Sequence, residues 1–120
     1  MADHKEYWST ESDQGSIRIS EDVVASIAAL AASETDGVSG LYSSVTRDIV
    51  SFLSKKNLSK GVQLRLVDDM LDVDLFIIVE YGISIAEVCK TIVQTVRYKL
   101  ESMTGVKVRR VNISVEGIRV

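Results

Sequence analysis

The segment "VQLRLVDDMLDVDLFIIVE", Val62 to Glu80, decides how this chain folds. Apolar and polar residues alternate on both sides of Asp68-Asp69. Alternation of this kind marks a half-buried strand, and two such runs joined by two turn-forming residues make a hairpin. Aspartate tolerates left-handed turn positions better than most residues, although Asp-Gly would suit the turn better still. A turn at Asp68-Asp69 pairs Leu66 with Leu71, Leu64 with Val73 and Val62 with Leu75 on one face. The other face then sets Arg65 opposite Asp72 and Gln63 opposite Asp74. One register satisfies both faces, as a real hairpin requires. A four-residue loop keeps the same faces and sets Arg65 opposite Asp74 instead.

The hairpin also explains the acidic cluster "DDMLDVD", Asp68 to Asp74. Asp68 and Asp69 become turn residues, and Asp72 and Asp74 are expected on the solvent side. An exposed Arg–Asp pair there contributes about 0.5 kcal/mol. A calcium loop would want a glycine and an oxygen ligand soon after Asp74, where the chain has Phe76 and Ile77. A general acid/base pair would want a desolvated carboxylate, and nothing in the pattern suggests that burial. No catalytic, metal-ligating or cofactor-binding residue is expected. Phe76 and Ile78 fall on the same outer face beyond the aspartates. Large apolar residues on a nominally wet face imply cover, by the middle helix, the N-terminal arm or a second subunit. They are candidate partner contacts.

Downstream lies the clearest helix. Ser84 and Glu87 have capping-box spacing, and Ile83 and Val88 stand where a hydrophobic staple would place them. Ile85, Val88, Cys89, Ile92, Val93, Val96, Leu100 and Met103 form one stripe, and Gly105 supplies a stop. Cys89 lies inside that stripe and reads as a small buried apolar side chain rather than a reactive thiol. In the last segment Val106 and Val108 share one parity, whereas Val111, Ile113 and Val115 share the other. One extra residue near Arg109 and Arg110 would reconcile them, so a bulge is expected there.

Upstream, "GSIRI" reads as a strand with Ile17 and Ile19 on one side. Ser20 is a good N-cap for a helix whose first turn carries Glu21 and Asp22. Its stripe is expected at Val23, Val24, Ile27, Leu30 and Ala31, with Gly37 ending it and a short strand at about 38–42. Val45, Ile49, Phe52 and Leu53 suggest a short amphipathic middle helix over 44–56, followed by "KKNLSKG". Residues 1–14 lack periodicity and read as a flexible arm, and 15–120 as a single domain.

The bulk numbers agree. At 120 residues the chain suits one domain with a true core. Its 46% hydrophobic and 26% charged residues describe a globular protein, and a net charge of −3 argues against nucleic acid as the main partner. A single cysteine and a single histidine exclude an internal disulfide and leave too few ligands for a His/Cys zinc site. The first fourteen residues contain no signal-like apolar run, and Leu75 to Val79 is far too short to span a bilayer.

Other motifs are weak. "GVSG" at Gly37 to Gly40 matches the GxxG loop of KH nucleic-acid-binding domains, but it holds no basic residue and precedes the paired strands. Lys55, Lys56 and Lys60 are candidate contacts for an anion or an acidic partner, or else a solvated helix end. "NLS" at Asn57 and "NIS" at Asn112 fit the glycosylation sequon, read as coincidence without a signal peptide. No Walker loop or dinucleotide glycine fingerprint occurs.

From about Gly15 to Ile118 the chain resembles the bacterial alkaline shock protein family of envelope stress response proteins. The stretches that carry the resemblance are "ISEDVVASIAALAASETDGVSGLY", "KKNLSKGVQLRL", "DLFIIVEYGISIAEVCKTIVQTVRYKLESMTGVKV" and "VNISVEGI". "IVEYG" followed by the capped helix and "MTG" is the most specific part. The resemblance implies a non-enzymatic cytoplasmic module without cofactors. It would act through a protein partner, a membrane-anchored relative among the candidates, at the inner face of the cell membrane. Homo-oligomers stay open, and a small KH-like nucleic-acid-binding module is the alternative. The expected architecture is a two-layer α/β sandwich. A mixed β-sheet carries two main helices on one face plus the short middle helix, and a helical crossover links parallel strands.

Overall fold

The computed structural model describes residues 7–42 and 61–120. The hairpin anticipated at Asp68-Asp69 is the centre of the molecule. Strand β4 (Val62–Val67) pairs antiparallel with β5 (Met70–Glu80) in the expected register, Leu66 with Leu71 through Val62 with Leu75. Both turn residues are left-handed, with φ of 53° at Asp68 and 65° at Asp69. That is the backbone a two-residue hairpin needs to match strand twist.

Strand β5 is the spine of a four-stranded mixed sheet. Strand β3 (Val38–Leu41) pairs antiparallel with its C-terminal half and β4 with its N-terminal half. Both occupy one edge, because the peptide groups of Phe76 reach both segments. The Tyr42 N–H donates to the Phe76 carbonyl at 2.7 Å, and the Phe76 N–H donates to the Gly61 carbonyl at 2.8 Å. Strand β6 (Val108–Arg119) runs parallel along β5 and takes the other edge. The parallel pair is joined through a helix, α2 (Ile85–Thr104), as anticipated.

The expected bulge is present. Leu71 pairs with Val108 and Asp72 with Arg110, so Arg109 is the extra residue. A second shift between Ile77 and Ile78 leaves Glu116 extra. The first bulge is held from the helix side. The Val108 N–H donates to the Glu101 carboxylate at 3.0 Å, and the Arg97 guanidinium donates to the Val108 carbonyl.

The helices cover the odd-numbered face of β5. Leu71, Val73, Leu75, Ile77 and Val79 are buried against Ile92, Val96 and Leu100 of α2 and against helix α1 (Glu21–Ser33). Helix α2 begins at Ser84, whose hydroxyl accepts from the Glu87 N–H, and ends at left-handed Gly105. Ile85 and Met103, at the two ends of its stripe, are exposed. Cys89 is half-buried beside the core, and burial pushes its thiol pKa up.

Helix α1 corrects the sequence reading. Ser20 caps it as expected, but the buried face is Val24, Ala25, Ala28, Ala29, Ala31 and Ala32. Of the expected stripe, Val24 and Ala31 are buried and Ile27 packs half-buried against the core, whereas Val23 and Leu30 are exposed. Only a narrow strip of Asp22, Ser26 and Ser33 is polar, which orients the helix weakly, and here the small alanines face the sheet and α2. The helix also stops at Ser33, before Gly37. Gly37 instead stands just before β3 with φ of 97°, and a Cβ there would lie 2.8 Å from the Val88 side chain.

The first strand, β2 (Gly15–Ser20), does not join the main sheet. It forms a separate two-stranded sheet with β1 (Tyr7–Ser12), inside the stretch expected to be an arm. Ile19 packs against the core and Ile17 is exposed. The anticipated middle helix over 44–56 lies outside the described residues.

Candidate functional site: the open face of the sheet

Because both helices lie on one side, the even-numbered side chains of β5 emerge on the other. From its N-terminal end these are Asp72, Asp74, Phe76, Ile78 and Glu80. The face divides into a polar half and an apolar half.

The polar half is tightly bonded. Asp74 accepts from Arg65 at 3.0 and 3.2 Å and from the Asn112 side-chain amide at 2.9 Å. Arg65 stands opposite Asp72 in register yet pairs diagonally with Asp74, because Asp72 is taken. Arg109 donates to both Asp72 oxygens, at 3.0 and 2.7 Å. Asp72 is thereby buried, at 2% exposure, against the expectation of a solvated residue. The bulge causes this, since the extra residue lets Arg109 and Arg110 both leave the helix-facing side and lays one guanidinium over the carboxylate. Sequence reasoning supplied the bulge but did not connect it to Asp72, which lies 37 positions away.

Neither carboxylate has the form of an acid/base or metal site. Both Asp72 oxygens are engaged by one guanidinium, and Asp74 is shared between Arg65 and Asn112. Among the described residues no group of three or more His, Cys, Asp or Glu side chains is placed to hold a metal ion.

The apolar half contains Phe76 and Ile78, both half-buried. Ile78 is paired with Gly40 of β3 on one side and Gly117 of β6 on the other, and Phe76 with Ser114. Small neighbours leave these two side chains as a low ridge on the sheet. Phe76 also marks where residues 43–60 leave and rejoin the sheet, through Tyr42 and Gly61. Lys55, Lys56 and Lys60 belong to that interval and lie outside the described residues. The GVSG segment is not a clamp loop between helices: Val38–Leu41 is strand, and Gly40 pairs with Ile78.

The model of the alkaline shock protein 23 family, described as having a cell envelope-related function, matches residues 9–120. The chain belongs to this family. The likeness to family members is close over most of the length. YloU of Bacillus subtilis is 37% identical over 108 residues, covering 88% of this chain and 90% of that protein. Spy1614 of Streptococcus pyogenes is 36% identical over 108 residues, covering 88% and 89%. YqhY of Bacillus subtilis is 33% identical over 105 residues, covering 88% and 78%. The alkaline shock resemblance seen in the sequence is thus established, and the two-layer α/β architecture with it. In fold the chain is also similar to MamM CTD in its copper form, with a TM-score of 0.51 at 15% identity over 83% of this chain and 88% of that one. A variant of the same domain gives a TM-score of 0.51 at 14% identity, covering 82% and 95%. At such identity the likeness concerns the fold alone.

Proposed function

We propose that this chain is a non-enzymatic interaction module serving the cell envelope. It works in the cytoplasm at the inner face of the membrane, through protein partners that include a membrane-anchored relative. The observation that carries the reading is the sheet face that no described helix covers, where Phe76 and Ile78 stand between Gly40, Gly117 and Ser114 with both described helices on the opposite side. A half-apolar sheet face rimmed by ion-paired polar residues is the anatomy of a contact surface, with an apolar centre and a polar rim. The family's envelope-related description supports the setting. No described helix is long and apolar enough to cross a membrane, so a partner is the route to it in this reading.

The test is fractionation of source cells carrying the tagged chain at native level, with co-purifying proteins identified. Recovery with membranes and one integral-membrane protein is expected, and loss of both on replacing Phe76 and Ile78 with serine. Recovery with ribosomes or nucleic acid, or a double variant that behaves as wild type, would overturn the reading.

A further inference from the structure

The two helices on the covered side of the sheet present different surfaces to solvent. The outward side of α2 is ordinary, with exposed Lys90, Gln94 and Glu101. The outward side of α1 is apolar. Val23 and Leu30 are 47% and 42% exposed, and between them Ile27 is half-buried, packed in part against the core and open on its remaining side. Their i, i+4, i+7 spacing makes a stripe about 10 Å long on the side away from the buried alanines. Apart from a narrow strip of Asp22, Ser26 and Ser33, helix α1 is apolar on every side; such a helix belongs between two layers, and the described residues supply one.

What flanks the stripe says what fits it. Helix α1 carries no lysine or arginine. Asp22 is exposed at its first turn, and Glu34 and Asp36 are exposed just past its end. Acidic groups at a helix C-terminus oppose the macrodipole and are unfavourable there. Glu34 and Asp36 line a groove of about 510 Å³ that runs toward Glu87, Thr91 and Thr95 of α2. None of Glu34, Asp36 or Glu87 has an ion-pair partner among the described residues. The negative end of the dipole and three carboxylates therefore converge at one end of an apolar stripe.

We infer that the outward face of α1, Val23–Ile27–Leu30 with the Glu34–Asp36–Glu87 groove, docks a basic amphipathic helix of a partner protein. Apolar residues of that helix at i, i+4 and i+7 cover the stripe, and its lysines or arginines enter the groove. A second copy packing its own α1 on this one does not fit. Antiparallel α1 helices would bring Asp22 against Glu34 and Asp36, and parallel ones would bring Asp22 against Asp22. An anionic lipid surface is excluded by the same charges. The inference rests on the reading of the chain as a protein-interaction module, but not on the Phe76–Ile78 ridge, which is on the other side of the sheet.

The test uses the full chain, isotope-labelled for amide NMR. The probe is a synthetic helix of about 18 residues, five turns, with a leucine stripe and lysine flanks, beside the same peptide with glutamate flanks. The expected result is shifts centred on Val23, Ile27, Leu30 and Glu34, with the lysine peptide binding at least about ten-fold tighter, or 1.4 kcal/mol. Val23→Ser with Leu30→Ser, and separately Glu34→Lys with Asp36→Lys, should each weaken binding about ten-fold or more. All four are exposed positions, so the fold survives. Phe76→Ser with Ile78→Ser should leave peptide binding unchanged. Equal binding of both peptides, shifts centred elsewhere, no shifts, or a wild-type dimer abolished by Leu30→Ser would each overturn the inference. If it fails while the Phe76/Ile78 variant still loses its membrane partner, the proposed function stands without it.

Discussion

Replacing Arg109 with alanine should damage this protein more than replacing the aspartate it holds. The pair is asymmetric: the Asp72 side chain is 2% exposed and that of Arg109 is 37%. Arg109→Ala leaves a buried carboxylate without its two donors. Removing one partner of a buried ion pair costs about 3–5 kcal/mol. The exposure of Arg109 means that water already reaches its side of the pair, so we expect about 2–3 kcal/mol here. Asp72→Ala leaves a guanidinium that can turn toward solvent, so the loss should be nearer about 1 kcal/mol. The double variant should then sit close to Asp72→Ala alone, giving a coupling of about 2–3 kcal/mol. Urea unfolding reads this directly. With a slope of about 1–3 kcal/mol per molar, Arg109→Ala should lower the midpoint by about 1–2 M and Asp72→Ala by less. Equal losses within about 0.5 kcal/mol, or additive ones, would refute the idea that the bulge exists to cover a buried charge.

Three further outcomes follow from the backbone and the core. Asp69→Gly should raise stability by about 0.5–1 kcal/mol in the same assay, because it relieves a side chain held at positive φ in the hairpin turn. Gly37→Ala should destabilise by about 1–3 kcal/mol, since positive φ and a Cβ only 2.8 Å from Val88 act together; a neutral result would show that Val88 moves aside. Burial raises the Cys89 pKa, so its reactive thiolate is scarcer in the folded chain than in the unfolded one. Labelling near neutral pH should be slow and should accelerate on unfolding. The burial also favours the folded state below the unfolded thiol's usual value of 9.0, a contribution lost as pH rises beyond it.

What could be read without coordinates was whatever two faces constrained together. The β4–β5 register follows because apolar and charged pairs fall into place at once, and the Arg109 bulge follows because the inward residues of β6 change parity. Where one face says nothing, the reading failed. Helix α1 offers apolar residues in every direction, so choosing the larger ones picked part of the outward side. The sequence of Tyr7–Ser12 has no apolar alternation, so its pairing with β2 leaves no periodic trace. The burial of Asp72 depends on a side chain 37 positions away, a coincidence of bulge and register that local pattern does not contain. Phe76 and Ile78 were legible as out-of-place apolar residues, whereas the Val23–Leu30 stripe was hidden by being mistaken for core.

The meeting of Tyr42 and Gly61 at one residue of β5 has a use of its own. A Cβ on Gly61 would come within 2.5 Å of the Tyr42 carbonyl oxygen, so the two ends of the intervening chain are already in contact. Closing a loop across such a gap costs little more as it lengthens, about 0.6 kcal/mol for each doubling. The stretch 43–60 is therefore a natural port in the chain. Its length can change while the sheet stays intact, and because both ends meet at Phe76, whatever is spliced there is delivered beside the Phe76–Ile78 surface and away from the α1 face.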